Sequence, residues 1–220
     1  MKKLTLSAIT LSCLTISISG HTATLAESAY VSAKVGVGIE DAHNKRYSNS
    51  EGTNISGKSG SQSVFTGSIA YGFNLAPVYN IPVRAELEYS YHDTADFNFS
   101  EVCTSCQLST KVQTVMLNGY YDFKNTSAFT PYISLGLGNA SIKTTAHNDN
   151  FSKAKTTNDF AWSVGLGVGY TINPNFSIDL GYRYLDAGKS SWNNSETSVE
   201  ENIKARMSSN DVTLGLRYSF

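Results

Sequence analysis

Little in this sequence could build a redox centre, a metal site or a nucleic-acid groove. Its 220 residues include three cysteines, four prolines and two tryptophans, and only 16% are charged. Cys13 falls in the N-terminal segment, which leaves Cys103 and Cys106, too few for a four-ligand zinc site or a disulfide-rich scaffold. A formal charge of −1 offers no basic excess for nucleic acid. Beyond the N-terminal segment, no run approaches the ~18 apolar residues that a membrane helix needs. Histidine is scarce too: His43, His92 and His147 are the ones outside that segment, and all fall in predicted loops, so no catalytic residues are assigned.

The N-terminus has its own signature. Met1-Lys2-Lys3 precedes a largely apolar run from Leu4 to Ile18, followed by small residues up to Ala26. This is the layout of a secretory signal peptide, so residues 1–26 are expected to be removed and 27–220 to form the mature domain. Removal takes away Lys2 and Lys3 and no acid, moving the formal balance from −1 to −3.

What the chain has in abundance is alternation. In Asp211–Phe220, Val212, Leu214, Leu216, Tyr218 and Phe220 interleave with Asp211, Thr213, Gly215, Arg217 and Ser219. A period of two sends successive side chains to opposite faces of a strand. The same pattern recurs over 29–39, 64–73, 83–91, 111–123, 130–138, 159–170 and 176–184, which gives eight strands. Long Ser-, Asn- and Gly-rich stretches at 40–62, 92–109, 139–158 and 185–209 read as loops, and they alternate with short links. Three short turns against four long loops, with aromatics at the strand ends (Tyr91, Tyr184; Phe73, Phe123, Tyr170, Phe220), match an eight-stranded antiparallel transmembrane β-barrel. A soluble barrel would require the apolar face inside and the charged face outside.

The segments Asn118-Gly-Tyr-Tyr-Asp-Phe123, Thr130-Pro-Tyr-Ile-Ser-Leu-Gly-Leu-Gly138, Leu180-Gly-Tyr-Arg-Tyr184 and Leu216-Arg-Tyr-Ser-Phe220 resemble the opacity-type surface proteins, part of the OmpA-like group of eight-stranded outer-membrane barrels. That resemblance spans about residues 29–220 and implies a Gram-negative outer-membrane location. It also implies an adhesin role, with a nominal porin label beside it. The partners expected are outer-membrane lipid, the barrel-assembly machinery acting on a C-terminal signal containing Tyr218 and Phe220, and a host receptor or extracellular matrix; no nucleic acid and no cofactor is expected.

On the inward face, Lys34, Arg84, Arg183 and Arg217 oppose Glu86, Glu88, Asp122 and Asp179. In a lumen that side chains can fill, such charges must pair, so a cross-linking network is expected rather than an ion pathway. Glycines 36, 38, 136, 138, 165, 167 and 169 are expected to make room for the arginines. The Gly165-x-Gly-x-Gly169 run misses the dinucleotide fingerprint and lines the barrel instead. Cys103-Thr-Ser-Cys106 is expected to form a small disulfide bracing the second loop. Glu200–Lys204 fits either a short helix or an extension of the flanking strands. Functionally, a surface-exposed binding protein leads, ahead of a structural membrane component, a small porin and a barrel enzyme.

Overall fold

The computed structural model describes residues 28–49, 54–56, 60–98, 107–148, 151–194 and 201–220. The expected signal peptide and the Cys103–Cys106 pair lie outside them. The described chain consists of β1 (Ala29–Asn49), β2 (Asn54–Ser56), β3 (Gly60–Asn74), the four-residue helix α1 (Ala76–Tyr79), β4 (Val83–Asn98), β5 (Gln107–Asp122), β6 (Phe129–Asn148), β7 (Phe151–Thr171), β8 (Phe176–Asn194) and β9 (Glu201–Ser219). Each long strand pairs antiparallel with the next, and β1 pairs with β9 from Tyr30↔Ser219 upward, closing the sheet. Three-residue β2 only extends the ladder against β1, opposite Arg46 to Ser48, so the wall has eight strands.

The strands run well past the expected boundaries. Much of 40–62, 92–109, 139–158 and 185–209 is paired strand, not loop. Register explains it: β6 and β7 pair without a break from Phe129↔Tyr170 to Asn148↔Phe151, so the membrane portion holds the polar extensions in line. In β6 and β7 they carry Thr144, Thr145, Thr156 and Thr157, which suit a strand, but the extensions lack the apolar period that marks one in sequence. Residues 201–204, left open between helix and strand, are strand.

At the other end the links are short. Helix α1 joins β3 to β4 with Pro77 in its first turn, and it ends at Asn80 in the left-handed region (φ 55°). Asn tolerates that conformation because its short amide can bond locally. Aromatic pairs ring this end of the barrel. Tyr71–Phe73, Tyr121–Phe123, Phe129–Tyr170, Phe176–Tyr218 and Tyr218–Phe220 have centroids 4.9–5.4 Å apart. Trp162–Tyr184, at 5.6 Å, marks the opposite rim.

Between the rims, hydrophobicity is inverted relative to a water-soluble protein. Leu135 is 68% exposed and Ile69 64%, whereas Glu86 on the inner face is 1% exposed. Such an apolar wall is stable only against acyl chains, and only a closed sheet can pair its backbone there. Leu166→Arg is therefore expected to block assembly, because Arg at mid-bilayer costs ~2–4 kcal/mol. Lys124→Glu, in an exposed short turn, should fold normally. The check is circular dichroism with heat-dependent gel migration; equal behaviour of the two variants would overturn the assigned outer face.

Candidate functional site

Strand β4 forms one side of the interior. Every second residue from Arg84 through Glu86, Glu88, Ser90 to His92 is buried, because this strand's other face meets lipid. Opposite strands bring the partners. Lys34 Nζ on β1 donates to Glu86 at 2.8 Å, Glu88 at 2.7 Å and the Tyr120 hydroxyl at 2.9 Å. Arg84 makes two 2.8 Å hydrogen bonds to Asp122, and its guanidinium lies 4.6 and 5.1 Å from the ring centroids of Tyr120 and Tyr132. Arg183 on β8 bonds Glu88 at 2.5 Å and Asp211 at 2.9 Å. Asp211 also lies 3.1 Å from His92 Nε2. The hydroxyls of Tyr30 and Tyr120 donate to Glu86 at 2.9 and 2.8 Å. Arg217 and Asp179 are 3.6 Å apart, an ion pair too long for a hydrogen bond.

A continuous chain thus runs from Asp122 through Arg84, Glu86, Lys34, Glu88, Arg183 and Asp211 to His92. Two of its members change the sequence expectation. His92 is not in a loop; it is fully buried inside the barrel. Its phase was visible, since it continues the even-numbered inward face of β4, but the strand was expected to stop at Tyr91. Asp211 likewise stands on the inward face of β9. A second added inward acid, Glu40, is 1% exposed, and neither carboxylate oxygen has a partner among the described residues. The expected four-against-four balance therefore becomes six carboxylates (Glu40, Glu86, Glu88, Asp122, Asp179, Asp211) against four fixed cations (Lys34, Arg84, Arg183, Arg217). Glu40 was missed because β1 continues inward-facing beyond its expected end at residue 39, whereas Asp211 lies within the expected last strand, on its polar face, and was not counted among the inward charges.

The inward glycines also differ in role. A Cβ on Gly167 would strike the Tyr132 ring, and one on Gly36 would strike the Val212 carbonyl; of the seven, only a Cβ on Gly169 would meet an arginine side chain, Arg217, at 3.6 Å. The glycines therefore clear space chiefly for neighbouring backbone and for polar side chains such as Asp211, Asn118 and Ser163.

Toward the long-strand end, the interior turns apolar. Val64, Val112, Met116, Ile142, Leu185 and Met207 pack in one buried cluster. Within the charged layer, a cavity of about 40 Å³ lies among Lys34, Glu88, Tyr132, Asp179 and Arg183. That is room for about three waters. Among the described residues, no group of His, Cys, Asp and Glu could hold a metal. His43 is exposed on β1, apart from the network. Tyr218 packs between Phe176 and Phe220 at the short-turn rim.

A closed antiparallel barrel with lipid-facing leucines and a charged interior is a transmembrane protein of the outer-membrane kind. Residues 9–220 match the outer membrane protein beta-barrel domain, and the chain belongs to that family. It is 30% identical over 223 residues to outer membrane protein PagN of Salmonella typhimurium, across 90% of this chain and 92% of that protein. A Rickettsia conorii protein provisionally named an adhesin is 27% identical over 119 residues, 49% of this chain and 47% of that one. Among solved structures, Neisserial surface protein A is similar in fold, with a TM-score of 0.55 and 19% identity over 88% of this chain and 97% of that chain.

Two outcomes follow from the packed interior. In planar bilayers the wild type should show no steady conductance. Arg84→Ala with Arg183→Ala should lower the unfolding midpoint and admit current, since losing one partner of a buried pair costs ~3–5 kcal/mol, less where water enters. Free conduction by the wild type would refute the filled lumen. Glu40→Gln should raise the unfolding midpoint at pH 8 by removing an unpaired buried carboxylate, a gain of about 1–3 kcal/mol. An unchanged or lowered midpoint would mean that Glu40 has a stabilising partner.

Proposed function

We propose that this outer-membrane barrel is a surface binding protein, adhesin-like, that meets its partners through the strand ends and tips beyond the lipid-facing wall. The carrying observation is the filled lumen. With ion pairs at one level and an apolar cluster at another, a solute has no route through, so partners must use the exterior. Lipid occupies the wall between the aromatic rims. The long-strand end remains, where β6 and β7 continue in register as far as Asn148↔Phe151. Connections carried on a rigid scaffold are where binding commonly resides. The Rickettsia conorii relative, with its adhesin name, supports the same reading.

In this reading residues 1–26 are removed on export, the long-strand end lies outside the cell, and both mature termini face the periplasm. The C-terminal strand, ending Tyr218-Ser-Phe220, presents itself to the barrel-assembly machinery. A Cys103–Cys106 disulfide braces the connection between β4 and β5. The partner is a host receptor or matrix component. Catalysis has no place in the scheme: His92 is sealed inside with Asp211 and meets no solvent.

The test replaces residues 50–59, 99–106 and 195–200 with short Gly-Ser links and compares bacteria displaying intact and trimmed barrels. Trimming should abolish host-cell adherence while heat-dependent gel migration stays unchanged. Equal adherence by the trimmed barrel would remove the binding proposal.

A further inference from the structure

The outer wall carries a lysine pair whose placement points to a specific lipid contact. Descending from the long-strand end, the outward positions of β5 are Lys111, Gln113, Val115 and Leu117, and those of β6 are Lys143, Ser141, Asn139 and Leu137. Lys111 and Lys143 are direct cross-strand partners, and both are exposed. Residues directly opposite one another have Cβ atoms only ~4.5–5.5 Å apart, so like charges there weaken a ladder unless something lies between them. No ion pair among the described residues includes either lysine.

Their surroundings favour an anion. Thr156 of β7 faces Lys143 across the next ladder and is also exposed, adding a hydroxyl to the two ammonium groups. An acid is close by: Asp93 stands on the β4 bulge between His92 and Ala95 and interacts electrostatically with Lys111. Asp93 balances at most one of the two ammonium charges, and its Oδ1 already accepts from the Thr94 amide at 2.7 Å and the Tyr91 hydroxyl at 3.3 Å. Arg206, another outward cation, is taken by Asp186 through bonds of 2.5 and 2.9 Å.

Height selects the ligand. Lys111 lies four residues above Val115, the last apolar outward residue of β5. At ~3.3 Å per residue and a tilt of ~40°, that puts the Lys111 backbone about 10 Å above the acyl region, just beyond a headgroup layer ~5–7.5 Å deep that a long lysine side chain can reach down into. We infer that Lys111 and Lys143, with Thr156 beside them, hold a phosphate of an outer-leaflet glycolipid headgroup. Two lysine point charges side by side suit a doubly charged phosphate monoester. The contact would tie one face of the barrel to the leaflet and set how far the strand ends stand above it. It rests on the proposed orientation, with the long-strand end outward.

The experiment uses the mature barrel in neutral detergent, offered lipid A with both phosphates or the same lipid with its phosphates removed. Retained lipid per barrel is read by native mass spectrometry. The wild type should prefer the phosphorylated lipid by at least about ten-fold, the scale expected of two lysines at an anionic surface. Lys111→Gln with Lys143→Gln should erase the preference, Lys111→Arg with Lys143→Arg should keep it, and heat-dependent migration reports folding. If the double glutamine variant does not fold, Lys143→Gln alone should reduce the preference. Equal retention of the two lipids by the wild type, or an undiminished preference in the folded glutamine variants, would overturn the assignment. Displacement by an equal concentration of inorganic phosphate would also overturn it, leaving a simple anion site. Binding in detergent does not depend on which way the barrel sits in the cell, so protease access to the long-strand end on whole cells tests the orientation separately.

Discussion

Hydrocarbon offers no partner for a backbone amide, and that constraint governs the whole molecule. A strand crossing the membrane must find both neighbours, so the sheet has to close on itself. Closure here is made by β1 with β9, and it is finished at the short-turn end by Phe220 N–H donating to Ala29 O at 3.1 Å. The last aromatic of the chain is therefore part of the seam.

Closing eight strands makes a narrow interior, and the strands' own alternation decides what fills it. If one face must be leucine, valine and aromatic to meet lipid, the other is free to be polar, yet it faces a space with almost no water. Charges placed there have to satisfy one another. Glu86 illustrates the solution: it accepts from Lys34, Tyr30 and Tyr120 at 2.8, 2.9 and 2.8 Å, groups drawn from two other strands. Such a network adds little net stability over an apolar core, because desolvation offsets most of the attraction. Its effect is on register. A slip of one residue would turn Arg84, Glu86 and Glu88 toward lipid and Leu87 toward the lumen.

The wall and the inward phase of its charges were legible because lipid contact writes a period of two into the sequence. Arg84, Glu86 and Glu88 could be placed inside from Val83–Tyr91 alone. Their partners could not be chosen, since Lys34 and Arg183 lie 54 and 95 residues from Glu88 along the chain. The strand extensions were illegible for a different reason. Above the rim the outward face turns polar while the inward face mixes apolar residues such as Ile142 and Leu185 with polar ones, so the period vanishes although the ladder continues, and His92 and Glu40 were lost with it. The apolar cluster escaped notice for a related reason: Val112, Ile142 and Leu185 stand on inward faces whose other members are polar or small, so they do not break the pattern as a set.

The two-layered interior also bears on what the exterior can do. A charge network alone would leave a wet, strained filling that a transmembrane field or a small ion could disturb. The cluster around Met116, Ile142 and Leu185 is buried in the same barrel, and its apolar side chains need no hydrogen-bond partners. With charges paired at one level and apolar side chains packed at another, the strand ends continue a wall whose interior is lined by contacts at both levels. A barrel of that kind can vary the residues at its tips without disturbing its lipid-facing wall, because the ladder below them is already fixed by closure. The chemistry of recognition is then set where the alternating pattern ends, and there the sequence is least constrained by the membrane.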